Sequence, residues 1–348
     1  MPPIPSRTPS RRYLAAGLLS ALLLAGCGGG GGGGGGDKTL IGAGSTLVAP
    51  LVAQWSGDYQ NRAGVTVTYG AIGSGGGIAQ ITARTVDFGA SDAPMTTDQA
   101  DSCKGCVQIP WALAATVVAY NVNGVTNELK LSGPVLAKIY LGQITRWNDP
   151  AIARLNPTRK LPNTEITTVH RSDGSGDTYA FSDFLAKVSP EWKSKEGVST
   201  QISFPTGVGA KGNDGVTATI AKTDGSIGYL GISYVFSNDL NFVLVENAAG
   251  KFPPPALPSI AAAAKTVTTI PPDNAISITD PPASAPDAYP ISTFTYAIVP
   301  ESSAKASTLR AFLTYAVTTG QKFAPPLNFA ILPAKIVTAA KAAIAKIQ

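Results

Sequence analysis

An α/β fold is the class the sequence predicts, and three observations predict it. From Thr39 onward, short apolar runs alternate with segments whose apolar residues recur every three or four positions. Glycine- and hydroxyl-rich turns stand where one pattern gives way to the other. The chain has 348 residues, 44% hydrophobic and only 14% charged, which supports sizeable cores over about two domains.

The elements follow in order. Thr39–Ala43 reads as a first strand. Leu47, Leu51, Trp55 and Tyr59 then mark one face of a helix, with Pro50 acceptable only near its first turn. Val65, Val67 and Tyr69 alternate as a second strand. Gly73–Gly77 turns into a helix carrying Ile78 and Ile81, Val86–Ala90 is a third strand, and Ala112–Tyr120 a long buried one. In the second block, Leu136, Ile139, Tyr140, Ile144 and Trp147 fit one helix. Ile166–His170 fits a strand, and Phe181, Phe184, Leu185 and Val188 another helix. Ser226–Val235 reads as a strand. Residues 252–290, crowded with Pro and Ala, read as peripheral loop with a short helix near Ser259–Val267. Thr293–Val299 is a returning strand, Leu309, Phe312, Leu313 and Ala316 make a helix stopped by Gly320, and an Ala/Lys helix closes the chain.

Residues 1–26 read as a secretory signal: Arg7, Arg11 and Arg12 precede the apolar stretch Tyr13–Gly26, whose 14 residues are too few to span a bilayer. Leu24-Ala25-Gly26-Cys27 looks like the bacterial lipobox, whose Cys is lipidated and becomes the new N-terminus; an ordinary signal peptide with a chance Cys is the alternative. The nine glycines Gly28–Gly36 form a flexible tether with a reach of roughly 15–18 Å. Without the three leader arginines, 24 of the 27 basic residues face 22 acidic ones, so nothing calls for nucleic acid. Cys103 and Cys106 stand as Cys-Lys-Gly-Cys in a polar stretch, Thr97–Gly105. Outside the cytosol this pair reads as a small disulfide closing a loop, ahead of a redox centre or a zinc site.

Three turns share one chemistry: Gly42-Ala43-Gly44-Ser45-Thr46, Gly73-Ser74-Gly75-Gly76-Gly77 and Asp173-Gly174-Ser175-Gly176-Asp177. Each follows an expected strand and opens an expected helix, so backbone N–H groups, hydroxyls and the positive helix end can converge on an anion. An ordinary N-capped turn looks the same when it stands alone. Arg171, two residues before the third turn, is placed for anion binding. Asp92, after the third strand, fits an anion site only if the anion carries a proton, which phosphate does and ionised sulfate does not. Capping a helix or pairing with Arg171 is the plainer reading of Asp92. Gly207–Gly212 matches GxGxxG literally but follows no clear strand, and such matches come cheaply among 37 glycines. No GxxxxGK[ST], HExxH or GxSxG occurs, and His170, the single histidine, is better read as a strand-end residue than as a hydrolase base.

These residues, with Val48-Ala49-Pro50, Thr85–Pro94, Ile139-Tyr140-Leu141-Gly142, Trp147 and Lys211-Gly212-Asn213-Asp214-Gly215, resemble the PstS family. Its members are the phosphate-binding proteins of the bacterial high-affinity phosphate ABC importer. The resemblance runs from about Leu40 to the C-terminus and is weakest across 248–290. It implies a class II periplasmic-binding-protein fold: two α/β lobes, 39–120 with 294–348 and 121–293, joined by two crossover strands around a ligand cleft. It implies a phosphate site of Thr46, Leu47, Ser74, Asp92, Arg171, Ser175, Gly176 and Asp177, with Arg171 paired to both phosphate and Asp92, and Asp92 accepting the phosphate hydrogen.

Two positions depart from the family pattern. Leu47 stands where Phe is common, which is harmless if only its N–H binds. Asp177 stands where Thr is common, an acceptor in place of a donor. Two carboxylates then need two protons on the ligand or one on a carboxyl, which suggests a bias toward H2PO4⁻ and weaker binding as pH rises; alternatively Asp177 turns away and is stabilised by the helix dipole. The expectation is a monomeric, non-enzymatic receptor without cofactor. It is held at the periplasmic or cell surface through Cys27 and passes phosphate to membrane permease subunits. A phosphate sensor or surface interaction protein on the same scaffold is the second reading; a phosphatase or phosphotransferase is a third that lacks an activated nucleophile.

Overall fold

The computed structural model describes residues 38–126 and 129–348; the leader, Cys27 and the glycine tether lie outside them. Strand β1 (Thr39–Gly44) leads into helix α1 (Ala49–Ala63), whose buried Leu51, Val52, Trp55 and Tyr59 keep the expected spacing, with Pro50 in its first turn. Strand β2 (Thr66–Ala71), helix α2 (Ser74–Thr82) and strand β3 (Phe88–Ser91) follow. Gly75, Gly76 and Gly77 of the second turn lie inside α2 rather than ahead of it, and Gly73 is its N-cap. The N–H of Gly77 already reaches the Gly73 carbonyl at 3.0 Å, so the helical ladder starts at the turn itself.

Helix α3 (Thr97–Cys103) occupies the polar stretch to which the sequence pattern assigned no element; Thr96 and Gln99 cap it reciprocally. A disulfide joins Cys103 and Cys106. Strand β4 (Cys106–Asn121) runs almost wholly buried for 16 residues. It is followed by β5 (Leu129–Leu131), α4 (Gly133–Tyr140) and α5 (Pro150–Leu155). The helix expected to continue to Trp147 stops at Tyr140, because Gly142 (φ 73°) turns the chain away. Ile144 and Trp147 are buried from the irregular segment beyond it, and the Trp147 indole donates to the Gly225 carbonyl.

Strand β6 (Thr167–Arg171), α6 (Gly176–Val188), α7 (Pro190–Lys195), β7 (Val208–Ala210) and α8 (Gly212–Lys222) build the second block. Strand β8 (Ser226–Gly231) ends four residues earlier than expected and passes directly into α9 (Ile232–Ser237). Its last N–H, on Gly231, is taken by the Asn213 side chain, so the ladder cannot continue. Then come β9 (Asn241–Val245), α10 (Leu257–Lys265), β10 (Ser292–Pro300), α11 (Ala306–Val317), two short 3-10 turns and α12 (Ala334–Ile344).

Residues 252–290 are not peripheral. Ile276, Ile278, Ala288 and Tyr289 are buried, and their irregular backbone is satisfied by side chains. Asn247 donates to the Pro286 and Ala288 carbonyls, the Gln108 amide donates to the Asp273 carbonyl, and the Asn274 amide donates back to the Gln108 carbonyl.

The strands join in the order β2-β1-β3-β10-β4-β8-β6-β7, with β9 paired to β4 and β5. β1 lies parallel to β2 and β3, and β6 parallel to β7 and β8. β4 serves both halves: it pairs antiparallel with β10 up to Ala115, and with β8 from Thr116 onward. At that change of partner the Thr116 N–H crosses to the Ile291 carbonyl at 3.0 Å. The C-terminal ends of β1, β2, β3, β6 and β7 all open into one buried cluster of polar side chains, where open α/β sheets present their sites. Among the described residues, no helix is long and apolar enough to cross a membrane.

Candidate functional site

All three expected turns contribute to this cluster, and a fourth joins them. The turn after β1 supplies Ser45, Thr46 and Leu47, that after β2 supplies Ser74, and that after β6 supplies Asp173 through Asp177. The fourth leads from β7 into α8 and supplies Asn213, the second residue of that helix. It closes the stretch that matched GxGxxG and was set aside for want of a strand; the three residues of β7 lie within that stretch.

Asp92, just past β3, is buried. The Ser45 hydroxyl lies 2.6 Å from each of its carboxyl oxygens, and its own N–H donates to the Ser74 hydroxyl at 3.2 Å. Ser74 Oγ also accepts the Gly176 N–H at 3.0 Å, so the turn after β2 touches the turn after β6. Gly176 has no room for a side chain: an added Cβ would come within 2.4 Å of the Asp92 Cβ. The Gly75 N–H donates to the Gly174 carbonyl at 3.0 Å, and the Asn213 amide to Thr46 Oγ1 at 2.8 Å. These bonds close one half of the sheet directly onto the other.

Arg171 emerges from the end of β6 with its guanidinium buried. Nε and Nη2 grip Asp173 in a fork at 2.8 and 2.5 Å, and Nη1 donates to Asp177 at 3.2 Å. The expected pairing of Arg171 with Asp92 is therefore replaced: Arg171 holds Asp173 and Asp177, and Asp92 is held by Ser45 and Ser74. Asp177, the second residue of α6, does not turn away from the cluster. Its Oδ1 accepts from Thr116 Oγ1 at 2.7 Å, and its Oδ2 from Asn213 Nδ2 at 3.0 Å as well as from Arg171. Ser175 caps α6 by accepting the Thr178 N–H, which leaves its hydroxyl proton to donate elsewhere. Leu47 is buried, with its side chain packed against Gly231.

The electrostatics are unusual for an anion site, since three carboxylates surround one guanidinium. Burial, and then the nearby charge of Asp177, push Asp92 up to about 8, against the opposing bonds from Ser45 and Ser74. Burial likewise raises Asp177, although Arg171, Thr116 and Asn213 resist it. Asp173 is held low despite burial, because the Arg171 fork favours its ionised form. Arg171 is itself buried, but Asp173 and Asp177 hold its proton more firmly than usual. Asp173 thus neutralises Arg171, while Asp92 and Asp177 are poised to carry or exchange protons.

Four main-chain N–H groups complete the geometry. Those of Thr46, Leu47, Ser74 and Asp177, all on buried residues, take no hydrogen bond among the described residues. Buried orphan N–H groups are rare and costly, and these lie at the starts of three helices, where the dipole favours negative charge. With the hydroxyls they form a donor-rich lining that suits a small, partly protonated oxyanion. The expected site residues did not include Ser45, Thr116, Asp173 or Asn213, although Ser45 and Asp173 stand in two of the expected turns. Asp173 carried the clearest signal, two residues from Arg171 along one strand end.

The family model described as a PBP superfamily domain matches residues 30–319. The phosphate-binding protein PstS of Xylella fastidiosa strain Temecula1 is 41% identical over 301 residues, covering 85% of this chain and 82% of its own length. That of Pasteurella multocida is 44% identical over 245 residues, covering 70% and 71%. Among solved structures, the phosphate-binding protein of Stenotrophomonas maltophilia superposes with a TM-score of 0.68 at 20% identity, over 87% of this chain and 93% of that one. This last likeness concerns the fold.

Proposed function

This chain belongs to the PstS family of phosphate-binding proteins, and we propose that it is a receptor that captures inorganic phosphate outside the cytoplasm and delivers it to an ABC importer. It is a binding protein, not an enzyme. The observation that carries the reading is the set of orphan N–H groups of Thr46, Leu47, Ser74 and Asp177 arranged around a buried, protonatable Asp92. The N–H groups and the hydroxyls of Thr46, Ser74 and Ser175 donate to phosphate oxygens; the Gly176 N–H, now on Ser74, joins them. Arg171 adds its charge from its fork on Asp173. In its ionised form Asp92 accepts the phosphate hydrogen, an arrangement that sulfate cannot satisfy without leaving two acceptors face to face.

Residues 39–120 with 294–348 and residues 121–293 act as two lobes. They part for entry and close on the anion through the Thr46–Asn213, Ser74–Gly176 and Gly75–Gly174 contacts. Closure desolvates the phosphate and presents one shape to the permease. Cys27, lipidated after removal of residues 1–26, holds the monomeric receptor at the membrane surface on its glycine tether. The test is phosphate uptake by cells lacking this chain. Restoration by wild type, with loss of membrane retention in a Cys27→Ser variant, is the expected result; undiminished uptake without the chain would overturn the transport reading.

A further inference from the structure

Asp177 is the feature of the site that simple anion recognition does not explain. A buried carboxylate occupies donors that an incoming oxyanion needs: Arg171 Nη1 at 3.2 Å, Asn213 Nδ2 at 3.0 Å and Thr116 Oγ1 at 2.7 Å. Both carboxylate oxygens are engaged and the side chain is wholly buried, so Asp177 is already solvated by the protein as an anion would be.

We propose that Asp177 is an internal competitor for the ligand and a determinant of its protonation state: phosphate gains Arg171 and Asn213 only as this carboxylate gives them up. The proposal rests on the phosphate reading above. It differs from a simple second acceptor, because the cost falls on Arg171 and Asn213 rather than on the phosphate hydrogen.

The charged and titratable groups facing Asp177 come from every packed element: Arg171 at the end of β6, Asp173 in the next turn, Asp92 beyond β3, Tyr229 on β8 and Tyr234 on α9. Burial raises Asp177, so its ionised, competing form grows as pH rises and its neutral form prevails as pH falls. The sign is therefore fixed: competition strengthens with pH, and phosphate binding weakens with it. Thr116 adds a connection. It stands where β4 exchanges β10 for β8, so the residue that steadies Asp177 also sits at the crossing between the two halves of the sheet.

The experiment is calorimetric titration of stripped wild type, Asp177→Thr, Asp177→Asn and Thr116→Val with inorganic phosphate at several pH values between about 5.5 and 8.5. Releasing a charge-assisted pair should tighten binding by Asp177→Thr roughly tenfold to a hundredfold at the alkaline end. The gain should shrink toward the acid end, so the variant's profile is flatter than that of wild type. Asp177→Asn, which preserves shape, should flatten the profile likewise, and Thr116→Val should tighten binding by a smaller factor. A merely structural Asp177 would leave the pH profile parallel to wild type in every variant that folds, and that result overturns the proposal while phosphate binding stands. Weaker binding by both Asp177 variants at all pH values also overturns it, by making the carboxylate a direct acceptor. Absence of phosphate binding in folded wild type overturns the receptor reading and this proposal with it.

Discussion

Replacing Asp92 with Asn should make the phosphate-free protein more stable while destroying its function. The Asp92 carboxyl rises from an ordinary 3.8 to about 8 in the folded chain, because burial and Asp177 outweigh the bonds from Ser45 and Ser74. Between those values the folded state binds a proton that the unfolded state has lost. Stability therefore falls as pH climbs from about 4 to about 8 and is flat above. At about 1.4 kcal/mol per pH unit, the deficit near pH 7 is on the order of 4 kcal/mol at most, and 2–4 kcal/mol after local relaxation. Asn carries no such charge, and its amide can meet the Ser45 hydroxyl from the same position. In calorimetric melts of stripped protein, Asp92→Asn should thus melt about 4–8 °C above wild type near pH 8. The two should converge near pH 4. Phosphate should no longer raise the variant's melting temperature. Parallel pH profiles for the two proteins, or a variant that melts lower at pH 8, would show that Asp92 does not carry an elevated pKa in the folded chain.

Two further perturbations separate closure from folding. Gly176→Ala places a methyl group where a Cβ meets Asp92 at 2.4 Å across the halves of the sheet. Because the halves can relieve the clash by staying apart, the melting temperature should hardly change, while phosphate affinity falls roughly tenfold to a hundredfold; unchanged affinity in a titration would show that the two surfaces do not meet in the bound state. Cys103→Ser with Cys106→Ser removes a bridge spanning a sequence separation of 3. The small loop limits the loss to about 2 kcal/mol in thermal or urea melts, and phosphate affinity should be unaffected; a drop in affinity would tie the disulfide to the site.

What could be read from the sequence was what lies close together along it. Each of the three glycine-hydroxyl turns is a single strand-to-helix junction, so its residues announce themselves within five positions. Asp92 and Arg171 were legible as charges at strand ends. Their partners were not: pairing Arg171 with Asp92 was the natural guess from charge alone, whereas Asp173 lies two residues away and forms the better fork. Ser45, Thr116 and Asn213 meet the carboxylates from distant parts of the chain. Nothing in the run Ala115-Thr116-Val117 distinguishes its hydroxyl from that of any buried strand Thr. The turn before α8 was legible as a family motif but not as a fourth anion-facing turn, because β7 has only three residues, too few to show alternation. Residues 252–290 misled for another reason: proline suppresses both periodicities, yet side-chain bonds from Asn247, Gln108 and Asn274 let an irregular backbone enter the core.

Phosphate selectivity distinguishes this site from a general anion trap, and calorimetric titration of stripped residues 37–348 with phosphate and, separately, with sulfate measures it. At a pH above about 8, where Asp92 is ionised, tight binding of phosphate with no detectable heat from sulfate is the predicted result, since an acceptor carboxylate can face a protonated oxyanion but not sulfate. Equal binding of both anions, or of neither by the folded protein, would contradict it.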